Sequence, residues 1–598
     1  MPRPLAPLRA LRPLLALLAL HAIAAHVQCA PKTIKKGSEC GARVQLNEGW
    51  ACGVLKSTEN RTHFASFLGL PYAKQPVGAR RFSELEAVEP WEGIYDATEE
   101  GPACPQHDTL YGPLLRVTNM SEACIYANVH VPLYALPEYR TLRPARDLQL
   151  PYETGLFEKE EDPGLPILVF IHGGGFAFGS GGLGLHGPEY LMNKDIIVIT
   201  FNYRINVFGF LSLNSSSIPG NNGLRDIVTL LKWVQRNAKS FGGDPNDVTL
   251  AGQSAGASCA HLLSMSSAAD GLFRRAILMS GTGIPSFFTA SPVYAEYIAN
   301  LLLTSLNINA TNPDDIHKEL ISMPLEEIME ANKQLQDSIG FTAFLPVVES
   351  PFPGFTTILD DDPDVLLSKG NGKNIPLIIG LTNAECEIFR TNFEKIDMLG
   401  RLKENPLLIL SIDSLYKLPP ETSLAFAQKV AKRYFDGDPT MDKYLKSCSD
   451  TYYIYPAMKL AEKRAQMDGA PVFLYQFAYD ADFSVLKESK GLHFNGAGHI
   501  EDMTFIFRAN SMQNVKGFFP PTHKDQLMVD WMTNFVKNFM YCNDPTCSQK
   551  SSSWPAERKD FPVQYQNVVT PMQYRYQKAT KEQQEMIKFF DSLQIRTV

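Results

Sequence analysis

The sequence lacks any dense tract of lysine and arginine, and its 598 residues carry a formal net charge of −8. Proteins that bind nucleic acid or anionic lipid surfaces usually present a basic patch that attracts phosphate groups. We therefore expect no nucleic-acid partner. A neutral or apolar binding partner fits this composition better.

Cysteine is also sparse, with 10 residues in the whole chain. This number is too small for a fold that relies on disulfides in place of a core, and a chain of this length has ample material for a large core. The pairing of Cys448, Cys542 and Cys547 cannot be derived from the sequence. We therefore expect a large globular protein in which disulfides are permitted but are not the framework.

Long apolar runs are scarce, and the leucine-rich run Leu14–Leu20 lies near the N-terminus behind three arginines. It is too short to span a bilayer comfortably, and small residues follow it through Ala30. A membrane anchor is the weaker alternative, since the chain also ends without an apolar tail. We expect residues 1–30 to be a secretion signal and the protein to be secreted and extracellular, with no membrane anchor.

Acceptor sequences for N-glycosylation agree with passage through the secretory route. Each is weak evidence alone. They lie at Asn60, Asn119, Asn214 and Asn309.

Apolar strands and longer helical patterns alternate between residues 165 and 290. The predicted strands are LPILVFIHGGG, DIIVITFNYR, NDVTLAG and RRAILMSG, with the helix LRDIVTLLKWVQRNAKSF between the second and third. NIPLIIG and PVFLYQFAY further along resemble more strands of the same sheet. This alternation predicts an α/β fold with a mostly parallel sheet and helices on both faces.

Two further segments complete the predicted organisation. Residues 139–164 contain proline and are charged, with a basic half followed by an acidic half, which is typical of a surface excursion. The sequence KEQQEMIKFFDSL near the end predicts a terminal amphipathic helix. Because no internal repeat or low-complexity linker separates these parts, we expect residues 31–598 to form a single domain.

The pentapeptide GQSAG places Ser254 between a predicted strand and a small-residue stretch that opens a helix. A lone GxSxG is weak evidence, because glycine is common enough for chance matches. The strand before it and the helix after it are typical of a strained turn that lifts a serine hydroxyl above a sheet edge. The sequence therefore predicts Ser254 as a nucleophile.

The motif HGGGF, residues 172–176, follows an earlier strand. Glycines allow backbone N–H groups to approach a developing negative charge without interference from side chains. We predict Gly174 and Gly175 as oxyanion donors, with the N–H of Ala255 as the third. A phosphate-binding loop is the poorer interpretation, since the motif has neither GxxxxGK[ST] nor GxGxxG spacing.

A nucleophilic serine needs a base, and the base needs a carboxylate that holds its tautomer. Glu385 follows the strand in IIGLTNAECEIF and is favoured by that position over Glu387. The acids at Asp360–Asp362 and Asp364 better suit the start of a helix with Pro363 in its first turn.

Three histidines follow Glu385 in the sequence. His499 lies on a glycine-flanked loop before an apolar run, in NGAGHIEDMTFIF, and this setting suits a positioned base. His493 is the second candidate, and His523 is the third. We predict His499 as the general base.

Seven motifs, found in this order, resemble the type-B carboxylesterase and cholinesterase family: FASFLGLPYAKQPVGARRF, SEACIYANVHVP, HGGGFAFGSG, NYRINVFGFLS, WVQRNAKSFGGDP, GQSAGASCAHLL and GAGHIED. The resemblance covers roughly residues 40 to 590 and implies the α/β-hydrolase fold. It also implies Ser254, Glu385 and His499 as the catalytic triad. It further implies a disulfide between Cys104 and Cys124, and a mechanism that needs no metal and no organic cofactor.

Within that family the chain is most similar to a branch of insect enzymes that cleave the methyl ester of an apolar sesquiterpenoid. That branch carries GQSAG where general carboxylesterases more often have GESAG. It also has an Arg-Phe pair, matched by Arg81 and Phe82, and a GxxHxxD motif, matched by residues 496–502. The resemblance therefore implies a small apolar ester as the substrate.

One position differs from the pattern of the branch. The branch has an Asp-Gln pair where this sequence has Asp226 followed by Ile227. Two other functions fit the same motifs. The first is a general or odorant-degrading carboxylesterase, and the second is a non-catalytic adhesion protein of the same fold. The second is disfavoured because every triad position is filled.

Overall fold

The computed structural model describes residue 33 and residues 40–108, 110–115, 117, 119–142, 163–284, 288–340, 342–513, 521–547, 554–559 and 563–593. The expected secretion signal lies outside the described residues. Residues 143–162, the central part of the charged excursion, also lie outside them.

A sheet of 13 strands runs through the described chain. Its spatial order is β1-β2-β3-β5-β7-β6-β8-β9-β10-β11-β12-β13, with β4 paired to β2. The strands are β1 (Ala42–Leu46), β2 (Gly49–Ser57), β3 (His63–Pro71), β4 (Ile94–Asp96), β5 (Tyr126–Pro132), β6 (Leu165–Ile171), β7 (Ile197–Phe201), β8 (Gly243–Gln253), β9 (Arg275–Met279), β10 (Leu377–Thr382), β11 (Val472–Phe477), β12 (Gln564–Val568) and β13 (Tyr576–Lys578).

The strands from β7 to β12 in this spatial order are parallel to their neighbours. The six strands predicted from the sequence are β6 to β11, and all are present. Strands such as β6 and β7 are almost entirely apolar because both faces of the sheet are covered and every residue is buried. The predicted α/β fold is confirmed.

The N-terminal end of the sheet is antiparallel, which the sequence reading did not anticipate. β1, β2, β3, β5 and β7 pair in succession in this way. The strands β1 to β3 follow each other through short turns, without the intervening helices that signal parallel crossovers. The sheet is therefore mixed, with its parallel part at the centre.

Helices pack on this sheet and extend beyond it. The helix predicted before β8 is α2, which has 16 residues, and the terminal amphipathic helix is α16, whose first turn is capped by Thr580. The α-helices are α1 (Asn206–Phe210), α2 (Asn222–Asn237), α3 (Ala255–Met265), α4 (Pro292–Ser305), α5 (Pro313–Ser322), α6 (Leu325–Ile339), α7 (Pro363–Ser368), α8 (Arg390–Lys395), α9 (Met398–Glu404), α10 (Ile412–Lys417), α11 (Pro420–Tyr434), α12 (Met441–Ser449), α13 (Tyr455–Gln466), α14 (Val485–Lys490), α15 (His523–Cys542) and α16 (Lys581–Ser592).

No helix among the described residues is both long enough and apolar enough to cross a membrane. Four disulfides link described cysteines: Cys40–Cys52, Cys104–Cys124, Cys386–Cys448 and Cys542–Cys547.

The candidate site lies where parallel strands end. β6 leads into the glycine motif, β8 ends one residue before Ser254, and β10 ends three residues before Glu385. Because the carboxyl ends of parallel neighbours meet at one edge of a sheet, these three segments converge there.

Candidate active site

Ser254 occupies a sharp turn between β8 and α3. Its φ and ψ are 57° and −124°, a conformation that non-glycine residues rarely adopt. The backbone N–H of Ser254 donates to Met279 O at 2.7 Å, and its carbonyl accepts from Ser258 N at 3.0 Å. These bonds hold the strained residue in place at the edge of the sheet.

Small residues make that turn possible. A Cβ on Gly252 would overlap the backbone of Gly256, and a Cβ on Gly256 would overlap the carbonyl oxygen of Ile171. A Cβ on Gly281 would overlap the carbonyl oxygen of Ser254. The strand, the turn and the helix therefore pack at distances that only glycine permits at these positions.

The glycine motif lies directly against the nucleophile turn. A Cβ on Gly173 would lie 3.1 Å from Ser254 Cβ. Gly174, Gly175 and Phe176 follow with φ of 112°, 61° and 61°. Among the hydrogen bonds between described residues, none uses the N–H of Gly174, Gly175 or Ala255. These three N–H groups therefore have no hydrogen-bond partner among the described residues.

His499 and Glu385 form a close buried pair. His499 Nδ1 lies 2.6 Å from Glu385 Oε2, and neither side chain is more than 1% exposed. The backbone strengthens the contact, since His499 N–H donates to Glu385 O at 3.3 Å. The carboxylate accepts from Nδ1–H, which leaves Nε2 of the neutral ring as the acceptor for another proton.

Glu385 is held by groups that the sequence reading did not single out. Its Oε1 accepts from Ser280 Oγ at 2.8 Å and from Thr382 N at 2.7 Å. The next residue, Cys386, is tied to the end of α12 by its disulfide with Cys448. The acid is therefore fixed both through its carboxylate and through the chain next to it.

The competing acids have other partners. Glu387 forms an ion pair with Arg390 at 2.8 Å. Asp362 caps α7, where Pro363 occupies the first turn as predicted, and Asp364 pairs with Lys463.

The competing histidines are exposed. His493 lies in the loop after α14, and His523 begins α15. Among the described residues it is His499 that contacts Glu385.

The loop that carries His499 is anchored by side chains from distant segments. Asn383 Oδ1 accepts from Ala497 N at 2.8 Å, and Glu501 Oε2 accepts from Gly498 N at 2.5 Å. Asp502 accepts from Tyr475 OH at 2.6 Å. These contacts hold the loop against the residue after β10, against β11 and against a side chain of the loop itself.

Burial controls the charge of the two acids in this loop. It raises the pKa of Glu501 to about 7, against the lowering effect of hydrogen bonds from Ser484 and Gly498. Burial also raises the pKa of Asp502 to about 6, although the hydrogen bond from Tyr475 lowers it. Both groups are thus easier to protonate than ordinary carboxylic acids.

Gln253 contacts the histidine directly, which sequence reasoning did not anticipate. Its side-chain Nε2 lies 3.0 Å from His499 Nε2, and the glutamine is 1% exposed. No hydrogen bond between described residues joins Ser254 Oγ to His499. The glutamine amide, and not the serine hydroxyl, is therefore the hydrogen-bond partner of His499 Nε2 in the structure.

Aromatic rings line the region around His499. Its ring lies 4.8 Å from that of Tyr453 and 6.1 Å from that of Phe389, measured between centroids. Phe288 lies 6.3 Å from Tyr453 and 6.2 Å from Phe176 of the glycine motif. This aromatic wall, Phe176, Phe288, Phe389 and Tyr453, connects the glycine motif with the histidine.

The Arg-Phe pair has a structural setting. Arg81 makes two hydrogen bonds to Glu122, at 2.6 and 2.7 Å, and donates to carbonyls near the end of α5. Phe82 stacks on Phe208 with centroids 5.9 Å apart. The pair thus joins an N-terminal loop to the helices beyond it.

Ile227, which stands where the similar enzymes have glutamine, is fully buried in α2. Its neighbour Asp226 makes a two-pronged contact with Arg204, at 2.8 and 2.7 Å. The apolar side chain thus packs in the core, and the aspartate is paired.

The remaining predicted residues are also placed. The structure has the disulfide between Cys104 and Cys124 that the resemblance implies. The side chains of the four acceptor asparagines, Asn60, Asn119, Asn214 and Asn309, are all exposed. Within the described ranges, no group of three or more histidine, cysteine, aspartate or glutamate residues is arranged to hold a metal ion.

Comparison with known proteins extends this picture. Residues 41–589 match the carboxylesterase family. The chain is 52% identical to juvenile hormone esterase of Heliothis virescens over 92% of this chain and 94% of that protein. It is 32% identical to esterase FE4 of Myzus persicae, covering 86% of each.

A solved structure is equally similar. The crystal structure of juvenile hormone esterase from Manduca sexta, with OTFP covalently attached, superimposes with a TM-score of 0.85 and 53% identity. The match covers 92% of this chain and 99% of that one.

Proposed function

This chain belongs to the carboxylesterase family and is a carboxylic ester hydrolase, and we propose that its substrate is juvenile hormone. The reaction would convert the methyl ester of the hormone to the hormone acid and methanol. The observation that carries the proposal is identity above 50%, over nearly the full length, to two juvenile hormone esterases.

In the proposed mechanism Ser254 attacks the ester carbonyl. His499 accepts the serine proton at Nε2, and Glu385 holds the ring with Nδ1 protonated and stabilises the imidazolium that forms. The 2.6 Å contact between Glu385 and His499 supports these roles. His499 then gives the proton to the leaving methoxide oxygen, and water repeats the sequence on the acyl-enzyme.

The oxyanion that forms on the carbonyl oxygen needs hydrogen-bond donors. We assign this role to the N–H groups of Gly174, Gly175 and Ala255, which have no hydrogen-bond partner among the described residues. Loss of one such donor typically costs about 3 kcal/mol of transition-state stabilisation. This contribution matters here because methoxide is a poor leaving group.

An apolar substrate fits the surroundings of the base. The aromatic wall, formed by Phe176, Phe288, Phe389 and Tyr453, is buried and runs from the glycine motif past His499. Aromatic faces bury large apolar areas and stabilise hydrocarbon chains by removing them from water. The aromatic wall therefore favours an ester with a long hydrocarbon chain as the substrate, rather than a small polar ester.

We also propose that the protein is secreted and that residues 31–598 form one catalytic domain. Four disulfides between described cysteines fit an oxidising compartment. The exposed acceptor asparagines are accessible for glycosylation in the same route.

Hydrolysis of labelled juvenile hormone at low concentration tests the substrate. We expect kcat/KM for the hormone to exceed that for short-chain acetates by a wide margin, because a long hydrocarbon chain buries more apolar area against the aromatic wall. A marked preference for acetates would instead favour a general or odorant-degrading carboxylesterase.

Covalent labelling tests whether the site is active at all. A serine-directed phosphonate is expected to modify Ser254, as located by peptide mapping. An unlabelled Ser254 in correctly folded protein would favour the non-catalytic adhesion protein.

A further inference from the structure

Gln253 is the last residue of β8 and directly precedes the proposed nucleophile. Its side-chain Nε2 lies 3.0 Å from His499 Nε2. The opposite ring nitrogen, Nδ1, lies 2.6 Å from the Glu385 carboxylate and donates to it. A neutral ring that donates through Nδ1 has a lone pair at Nε2, so the glutamine NH₂ is the donor in this contact.

The other end of the glutamine amide lies against the glycine motif. A Cβ on Gly173 would lie 2.6 Å from Gln253 Oε1. The amide oxygen therefore lies against the glycine motif while the NH₂ group reaches the ring. The side chain of Gln253 thus contacts both the glycine motif and the His499 ring, the two parts of the site that act on Ser254 and its substrate.

We propose that Gln253 is a positioning residue that holds His499 as a neutral, correctly oriented base. This inference rests on the proposed function, in which Nε2 accepts the proton of Ser254. A donor at Nε2 favours the neutral ring over the imidazolium, because a protonated Nε2 would face another N–H group.

The choice of amide over carboxylate follows from the same geometry. A glutamate here accepts hydrogen bonds but does not donate them when ionised. It would place a second buried negative charge beside the ring, next to Glu385, and would stabilise the imidazolium. With Gln253 the base therefore stays unprotonated at a pH where a glutamate at the same position would keep it in the imidazolium form.

The pH dependence of inactivation by a fluorophosphonate tests the proposal, because that reaction needs the nucleophile and its base but not recognition of the hormone. In Gln253→Glu we expect the midpoint of the acid limb to rise by about one to three pH units. In Gln253→Met, which keeps the volume and adds no charge, we expect slower inactivation and a smaller rise of the midpoint, because only the N–H donor is lost.

A matched control adds the same charge elsewhere. Gln45 is exposed on β1, six strands from β8 in the sheet order. Gln45→Glu is expected to behave like the unmodified protein. An unchanged midpoint in Gln253→Glu, or an equal shift in Gln253→Met, would overturn the proposal.

Peptide mapping separates failure of this inference from failure of the proposed function. If the label lies on a serine other than Ser254, the catalytic assignment is wrong. If it lies on Ser254 while the midpoint of Gln253→Glu stays in place, only the role of Gln253 is wrong.

A measurement on the unmodified chain covers the case in which Gln253→Glu does not fold. With ¹⁵N-labelled histidine, NMR at neutral pH should show His499 protonated at Nδ1 and unprotonated at Nε2, with the signal assigned through the variant His499→Gln. A protonated Nε2 under these conditions would contradict the proposal.

Discussion

The turn that carries Ser254 and the loop that carries His499 meet at one edge of the sheet but are fixed by different interactions. The turn depends on backbone packed against backbone at Gly252, Gly256 and Gly281, where any side chain would overlap a neighbour. Two of these glycines lie within two residues of the serine, and the third lies two residues after the end of β9.

The histidine loop depends instead on hydrogen bonds from polar side chains of other segments. Asn383 follows β10, Tyr475 belongs to β11, and Ser484 precedes α14. They contact the loop through Ala497 N, Asp502 and Glu501 respectively. The nucleophile is thus set by close backbone packing, and the base by a network of side-chain hydrogen bonds.

The comparison predicts the largest loss for a change at the turn itself. Ser254→Ala is expected to lower kcat by at least about 10⁵-fold, because no other group supplies the nucleophile. Binding of the intact substrate should persist, since the aromatic wall is untouched. Single-turnover hydrolysis together with equilibrium binding of the labelled hormone measures both effects.

Ser258→Ala is the matched control for that change. Ser258 is fully buried one helical turn further along α3, and its hydroxyl has no hydrogen-bond partner among the described residues. We expect this variant to retain near-normal turnover. Near-normal hydrolysis by Ser254→Ala itself would refute the assignment of the nucleophile.

The next largest effect is expected at the acid that orients the base. Glu385→Gln should lower kcat by about 10⁴-fold, because an amide does not hold the ring in the tautomer that leaves Nε2 free to accept a proton. Steady-state kinetics on the hormone measures this loss. The fold should survive, since the Cys386–Cys448 disulfide still ties down the neighbouring chain.

Glu387→Gln provides the comparison, because Glu387 was the competing acid two residues away. It pairs with Arg390 near the surface, and such pairs contribute about 0 to 1 kcal/mol of stability. Its removal should leave turnover almost unchanged. Equal losses in the two variants would mean that the acid has been misassigned.

The same contrast explains what could be predicted from the sequence. Ser254 was recognisable because a strand, a turn of small residues and a helix lie within one short stretch. The glycine motif and Glu385 were recognisable because each follows an apolar strand of a parallel sheet, and such strands end at one edge.

The partners of the base were not recognisable in that way. Nothing in the local sequence of Tyr475 or Ser280 shows that its hydroxyl meets an acid of the site, because those contacts join segments that are 27 and 105 residues apart. Gln253 stands beside the nucleophile in sequence, yet its contact with His499 spans 246 residues. Such contacts follow from the folded topology and not from any short motif.

The smallest effect is expected from the buried acid that supports the histidine loop. Burial raises the pKa of Glu501 from an ordinary 4.5 to about 7 in the folded chain. The folded state therefore binds this proton more tightly than the unfolded state does. The resulting stabilisation is present below about pH 4 and is lost as the pH rises to about 8, a difference of about 3 kcal/mol.

Glu501→Gln removes this titration, so its free energy of unfolding should depend less steeply on pH than that of the unmodified protein. Glu557→Gln is the matched control, because burial also raises the pKa of Glu557 to about 7, far from the site beside β12. Denaturation at several pH values should show a similar flattening in both variants. Only Glu501→Gln should also change the pH profile of hydrolysis, because Glu501 accepts from Gly498, the residue before His499. If both variants alter the pH profile of hydrolysis equally, Glu501 has no specific role in holding the histidine loop. The proposed difference between that loop and the serine turn would then be wrong.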